Sequence, residues 1–259
     1  MKSAPLTIAL TCVAVLSLAT HASAQLIETE TARVLPAGVW EIGAAFEPQT
    51  SSDGTEKALP LMVTWGITDK LELMVEPVAY TSIRPKTGPS GVGAGDIEIT
   101  VTYVFKPEGA LPALALAGEA KVPTARNRMI GTGQSDYAMY LTESKRFGRL
   151  DTHAHASYTF VGQPPAVQLG NIFGYGVAGV LRTWKRIDIF GELLGNSAST
   201  PGGEGSGMTL VVQEAAGGEV VVTGGAAFRP RPWMTLYVSE SRDNIGALLL
   251  RTGFVLGRR

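Results

Sequence analysis

The chain has 259 residues, with 22 Lys and Arg against 23 Asp and Glu. That near-neutral balance removes electrostatic attraction to nucleic acid as an organising theme, and a slightly positive mean hydropathy excludes a disordered chain. The single cysteine, Cys12, falls in a segment expected to be removed; the remainder then has no disulfide, thiolate metal site or cysteine nucleophile.

Lys2 supplies a positive start, Leu6 to Leu18 is an uncharged apolar run, and Ala22-Ser23-Ala24 has the small-x-small pattern of a signal-peptidase site. The run is too short for a membrane-spanning helix, which takes ~20 residues. Residues 1–24 therefore read as a cleaved signal peptide and 25–259 as a single domain. No later apolar run approaches spanning length. A membrane helix is excluded, but a membrane barrel is not, since its strands need only ~9–11 residues with alternate positions polar.

Beyond residue 24 the period is two. From Asp96 to Phe105, Asp96, Glu98, Thr100 and Thr102 share one face, while Ile97, Ile99, Val101, Tyr103 and Phe105 share the other. Leu150 to Val161 and Ala113 to Val122 repeat the alternation. Strands are expected near 38–46, 57–66, 71–82, 95–106, 112–123, 135–147, 150–161, 171–183, 186–197, 218–228, 233–240 and 247–256, about twelve in all. The connections near 66–70, 106–111, 148–149, 183–185 and 229–232 are short. Those near 47–56, 83–94, 124–134, 162–170 and 198–217 are longer and rich in Gly, Ser and Pro, and the one near 241–246 is short again. Long connections on one side and short turns on the other are what an outer-membrane barrel requires, and what a soluble sandwich has no reason to show. A secreted β-sandwich or lipocalin-like barrel is the competing fold, and it would bury its large apolar residues inside.

The aromatic residues supply an independent criterion. Trp40, Trp65, Trp184, Trp233, Phe105, Phe147, Phe228 and Phe254 fall toward the short-turn rim. Phe46, Tyr80, Tyr137, Phe160 and Phe173 fall toward the long-loop rim. Two such girdles suit rings at headgroup depth. The expected fold is thus an all-β, closed antiparallel transmembrane barrel of about twelve strands, with short periplasmic turns and longer extracellular loops.

Gly66-Ile67-Thr68-Asp69-Lys70-Leu71-Glu72-Leu73, Gly93-Ala94-Gly95-Asp96-Ile97, Lys121-Val122-Pro123-Thr124 with Gly131-Thr132-Gly133, and the Gly148 turn after Phe147 carry a resemblance. The chain resembles the outer-membrane β-barrel family associated with the meta-pathway of phenol degradation, a family described as transporters. The resemblance implies a bacterial outer-membrane location and passage of small organic compounds, and it brings no catalytic residue. The chain departs from many such barrels in ending on Phe254-Val255-Leu256-Gly257-Arg258-Arg259 rather than on an aromatic. That implies atypical recognition by the barrel-insertion machinery or a displaced last strand.

The expected lumen-facing set is Glu72, Glu76, Asp96, Glu98, Glu119, Lys121, Arg146, Asp151, His153, His155, Glu192 and Arg251, with Glu41 and Asp188 on the same faces. Acids outnumber bases, and rings of acids favour cations in a pore. Eight-stranded barrels are filled by side chains and those of 16–18 strands leave a channel. Twelve lies between, so open and plugged lumens both fit; a narrow, partly filled pore is the expectation. Pro60 and Pro77, on neighbouring strands and nearly opposite, cannot donate to the ladder. They mark either a plain bulge or a wall defect through which an apolar solute could leave sideways.

His155-Ala156-Ser157, with Asn171 as orienter, is the one catalytic arrangement worth weighing, but the pair faces inward and Asn171 falls too far up the strand. Asp151, His153 and His155 share a stripe, yet a metal needs convergent ligands. Gly91-Val92-Gly93-Ala94-Gly95 precedes a strand, not a helix, so it is no dinucleotide fingerprint. No cofactor is expected. The function expected is non-enzymatic passage of small solutes, aromatic or hydrophobic ones among them, with outer-membrane lipid and the insertion machinery as partners. A non-conducting structural or adhesive barrel and an outer-membrane lipid hydrolase are the alternatives.

Overall fold

The structure, a computed structural model, describes residues 26–164, 168–184, 186–199 and 218–258. The expected signal peptide at 1–24 and most of the 198–217 loop lie outside them. The described chain forms β1 (Trp40–Thr50), β2 (Gly54–Thr68), β3 (Leu71–Pro85), β4 (Gly91–Gly93), β5 (Ile97–Lys106), β6 (Ala113–Val122), β7 (Asp136–Phe147), β8 (Leu150–Phe160), β9 (Ile172–Trp184), β10 (Ile187–Asn196), β11 (Val220–Arg231), β12 (Met234–Asp243) and β13 (Leu248–Arg258). Every pairing is antiparallel. β4 is a three-residue addition to the upper part of β3, and the other twelve strands close into a barrel.

Closure is made by β13 pairing with β1 from Trp40↔Arg258 to Thr50↔Leu248. The last strand is therefore not displaced, whatever the chain's final residues. Closure leaves the twelve-stranded wall without an open edge, which hydrocarbon demands because it offers no water to one. In the two-residue turn Gly148-Arg149, Gly148 takes φ +59°, a left-handed conformation that a side chain disfavours.

Alternation sets the two surfaces. In β5, Thr100, Thr102 and Val104 are buried toward the interior, while Val101, Tyr103 and Phe105 are exposed outside. Met139, Leu141, Val177, Ile189, Val222 and Val238 continue the exposed apolar band around the wall. Trp40, Trp65, Phe105, Phe147, Phe228, Trp233 and Phe254 form one aromatic rim, and Phe46, Tyr80, Tyr137, Phe160 and Phe173 the other, all exposed. Buried Glu72, Asp151, Asp188 and Glu192 lie inside. This is the inverse of a water-soluble barrel, and it makes the chain a transmembrane one. Among the described residues no helix is long and apolar enough to cross a membrane.

One outer connection differs from expectation. The long loop expected near 47–56 is only Ser51 to Asp53, because β1 and β2 continue to Thr50 and Gly54 and are closed by a Ser51 N–H to Gly54 carbonyl bond of 3.0 Å. The polar residues Gln49 and Thr50 belong to β1, and Thr55 and Glu56 to β2, so both strands continue above the apolar band.

Candidate functional site: a strapped lumen

Residues 26–39 do not form a loop beneath the barrel. They run up inside it as an extended strap. Pro36 and Gly38 hold the strap at the short-turn rim, where Gly38 donates to the Gly66 carbonyl. From there the strap crosses the interior. Its main chain belongs to no sheet, and five of its N–H groups are satisfied by side chains projecting from the wall. Leu35 N–H donates to Glu72 (2.6 Å), Ala32 N–H to Ser144 (2.9 Å), and Glu30 N–H to Nδ1 of His155 (3.0 Å). Glu28 and Thr29 N–H both reach the Glu192 carboxylate, the latter at 2.9 Å. Leu26 and Ile27 pack with Met62, Val180, Phe190, Tyr237 and Val255, and Ala32 packs with Val104, Ala113 and Ala115. The inward alanines of β1, β6, β9 and β11 leave the trough that the strap fills.

Charge is divided along the axis. Toward the short turns, Asp151 collects Arg33 of the strap (2.9 Å), Arg146 (Nε at 3.0 Å) and Arg182 (3.5 Å). Asp188 holds Arg229, with one contact at 2.9 Å. Arg33 also pairs with Glu108, in the turn between β5 and β6. The Glu108 carboxyl sits below the usual carboxylate range: burial alone would raise it, but the Arg146 N–H and the charges of Arg33 and Lys145 prevail. Higher in the lumen the acids dominate. Glu28, Glu47, Glu76 and Glu98 line a cavity of about 240 Å³ beside the strap, with Ile27, Met74 and Val78 as its apolar wall. Arg251 pairs there with Glu47 (2.5 Å) and with Glu28. A second cavity of about 190 Å³ lies toward the β10–β13 wall and shares Glu28 and Arg251 with the first. That ion pair therefore stands between them.

The expected lumen residues divide by role. Glu72, His155 and Glu192 hold the strap; Glu76, Glu98 and Arg251 border the cavity; Arg146 and Asp151 belong to the ion-pair cluster. Glu119 accepts from Tyr140 (3.1 Å), and Lys121 pairs with Asp136. Asp96 accepts the Ala125 N–H (2.9 Å) and so secures the following loop. His153 Nδ1 bonds Ser144 Oγ at 2.8 Å. His155, Ser157 and Asn171 are not assembled: Asn171 is spent on Val161 N–H and Tyr158 Oη. Asp151, His153 and His155 do not converge either, and no metal-holding group of three such residues occurs among the described residues. The strap's Glu28, Glu30 and Arg33, with Glu108, Arg229 and Tyr237, were missed by the sequence reading. The run of inward alanines, Ala113, Ala115 and Ala117, was the available sign that something else fills the lumen.

Pro60 and Pro77 lie where the β2–β3 ladder is broken. Pairs run from Leu59↔Tyr80 through a register shift to Pro60↔Val78, then resume only at Val63↔Val75. On the other side of β2 they jump from Ala44↔Leu61 to Glu47↔Ala58. Pro60 and Val78 also line the larger cavity, so the break backs directly onto it.

No family model matches the chain, and no curated protein matches it. Solved structures do. An outer membrane channel from Pseudomonas putida F1 superposes with TM-score 0.70 at 10% identity, covering 90% of this chain and 100% of that one. NanC porin gives TM-score 0.59 at 11% identity, over 83% of this chain and 98% of its own. KdgM porin, solved in complex with disordered oligogalacturonate, gives 0.56 at 12%, again over 83% and 98%. At these identities the likeness is one of fold: the chain has the barrel of an outer-membrane protein.

Proposed function

We propose that the chain is a channel of the bacterial outer membrane, passing small solutes through the space its own strap leaves open. The cavity beside the strap is the observation that carries this reading. An apolar cavity of ~150 Å³ holds benzene, so about 240 Å³ takes one substituted ring and excludes an oligosaccharide. The resemblance to the phenol meta-pathway family agrees with aromatic or hydrophobic solutes of that size. The same reading has residues 1–24 removed as a signal peptide before the strap docks, has the barrel inserted into outer-membrane lipid by the assembly machinery, and gives the protein no catalytic role. In planar bilayers under a KCl gradient the protein is expected to carry small currents whose reversal potential favours K⁺, as an acid-lined lumen requires. No current from the full barrel or from one lacking its strap would leave only a structural role.

The broken ladder at Pro60 and Pro77 favours a second route, sideways through the wall for apolar solutes. Replacing both by Ala restores two N–H donors. Uptake of toluene into proteoliposomes should then fall while ion current stays unchanged; equal uptake would mean a plain bulge.

A further inference from the structure

The outer stripe of β2 changes character where it passes the upper aromatic rim. Trp65, Val63, Leu61 and Leu59 face outward in turn, and the next outward positions are Lys57 and Thr55. On β3, Tyr80 is followed outward by Ser82, which is buried, and by Arg84, which is exposed. The register joins the two stripes, since Leu59 pairs with Tyr80, Lys57 with Ser82 and Thr55 with Arg84. Cross-strand partners share a face, so two cations and two hydroxyls belong to one patch. Lys57 and Arg84 are diagonal neighbours, with Cβ atoms ~7–8 Å apart, and both side chains are long enough to close on one group between them. Lys57 stands two residues, ~7 Å, beyond the level of Leu59 and Tyr80, where a rim of aromatic rings marks headgroup depth.

Both cations are exposed, and neither takes part in an ion pair or a side-chain hydrogen bond among the described residues. By contrast, Arg242 on the outer stripe of β12 is held by Glu240 at 2.8 Å. β1 brings no acid to the patch: Pro48 and Thr50 pair with Lys57 and Thr55, while Glu47 and Gln49 alternate inward to line the cavities. Glu56 takes the inward position between Thr55 and Lys57. Asp53 lies in the turn beyond, next to Lys86, whose N–H donates to the Asp53 carbonyl. The patch therefore carries net positive charge, with the exposed side chains of Phe46, Leu59 and Tyr80 directly below it.

We infer that this patch binds a phosphorylated lipid of the outer leaflet. The phosphate sits between Lys57 and Arg84, which meet it as charge-assisted donors, with the hydroxyls of Thr55 and Ser82 beside them. One acyl chain descends over Leu59, Tyr80 and Phe46. A free anion or an acidic protein would use the cations and leave the apolar stripe without a partner. The site depends on the orientation of the barrel, with its long connections outside, and not on the passage of any solute.

Native mass spectrometry of the detergent-solubilised barrel tests it, with lipid A as the probe. One bisphosphorylated lipid A should stay bound. Lys57→Gln and Arg84→Gln should each weaken it about fivefold, and the double variant about 25-fold, from the contribution of one cation at a membrane surface. The same lipid with its phosphates removed should bind as weakly as the double variant binds the intact one. Lys57→Arg should retain binding, Arg242→Gln should leave it unchanged, and inorganic phosphate at the same concentration should not displace the lipid. Equal retention of the dephosphorylated lipid, full binding by the double variant, or displacement by inorganic phosphate overturns the site.

Discussion

Deleting residues 26–34 is expected to raise single-channel conductance several-fold while the barrel still forms. The wall does not need the strap to fold, because its strands pair with one another around the whole circumference, the break beside Pro60 apart. The strap is held near balance. Ordering roughly ten residues costs ~1–2 kcal/mol each. Burying Leu26, Ile27 and Leu35 recovers ~1.5–3 kcal/mol per side chain. Three N–H bonds to carboxylates return ~1.5–3 kcal/mol each, and the bonds to Ser144 and His155 ~1 kcal/mol each. The two sides agree to within a few kcal/mol before Arg33 is added, so its pairs with Asp151 and Glu108 decide the matter. Arg33→Ala should accordingly give brief openings to the level of the deletion variant. Unchanged conductance in both would show that the strap is not the constriction. The deletion variant must migrate as a folded, heat-modifiable species for the comparison to stand.

The wall of this barrel was legible because period-two alternation is a local signal. Asp96 to Phe105 declares both faces of one strand without reference to any other, and Trp40, Trp65 and Trp233 mark one rim. The strap was not legible because its partners are remote. Glu28 meets Glu192 across 164 residues and Ala32 meets Ser144 across 112, and nothing in Ile27-Glu28-Thr29-Glu30-Thr31 distinguishes a segment inside a lumen from a loop below it. The same reason hid Tyr237. Its place on an inward stripe follows from the alternation, but its packing over Gly253 is set by the register of the neighbouring strand. Asp96 was placed on the inward face by parity, whereas its partner Ala125 lies in a loop that has no period at all.

Placing arginine at Leu141 should destabilise the folded state in lipid by ~2–4 kcal/mol, while arginine at Tyr137 on the same strand should cost ~0–1 kcal/mol. Leu141 is 53% exposed and sits midway between Tyr137 and Phe147, beside Leu116 and Ala156. In a water-soluble protein such an exposed position accepts arginine within about 0.5 kcal/mol. The expected cost therefore comes entirely from the solvent on that side of the wall. Denaturant unfolding from lipid vesicles measures it, and the depth dependence is the decisive part: equal small effects at both positions would mean that Leu141 faces water. Glu143, also exposed on the outer surface, does not argue the other way. It lies two residues nearer the Phe147 rim, and carboxylates are tolerated on a lipid face better than arginine.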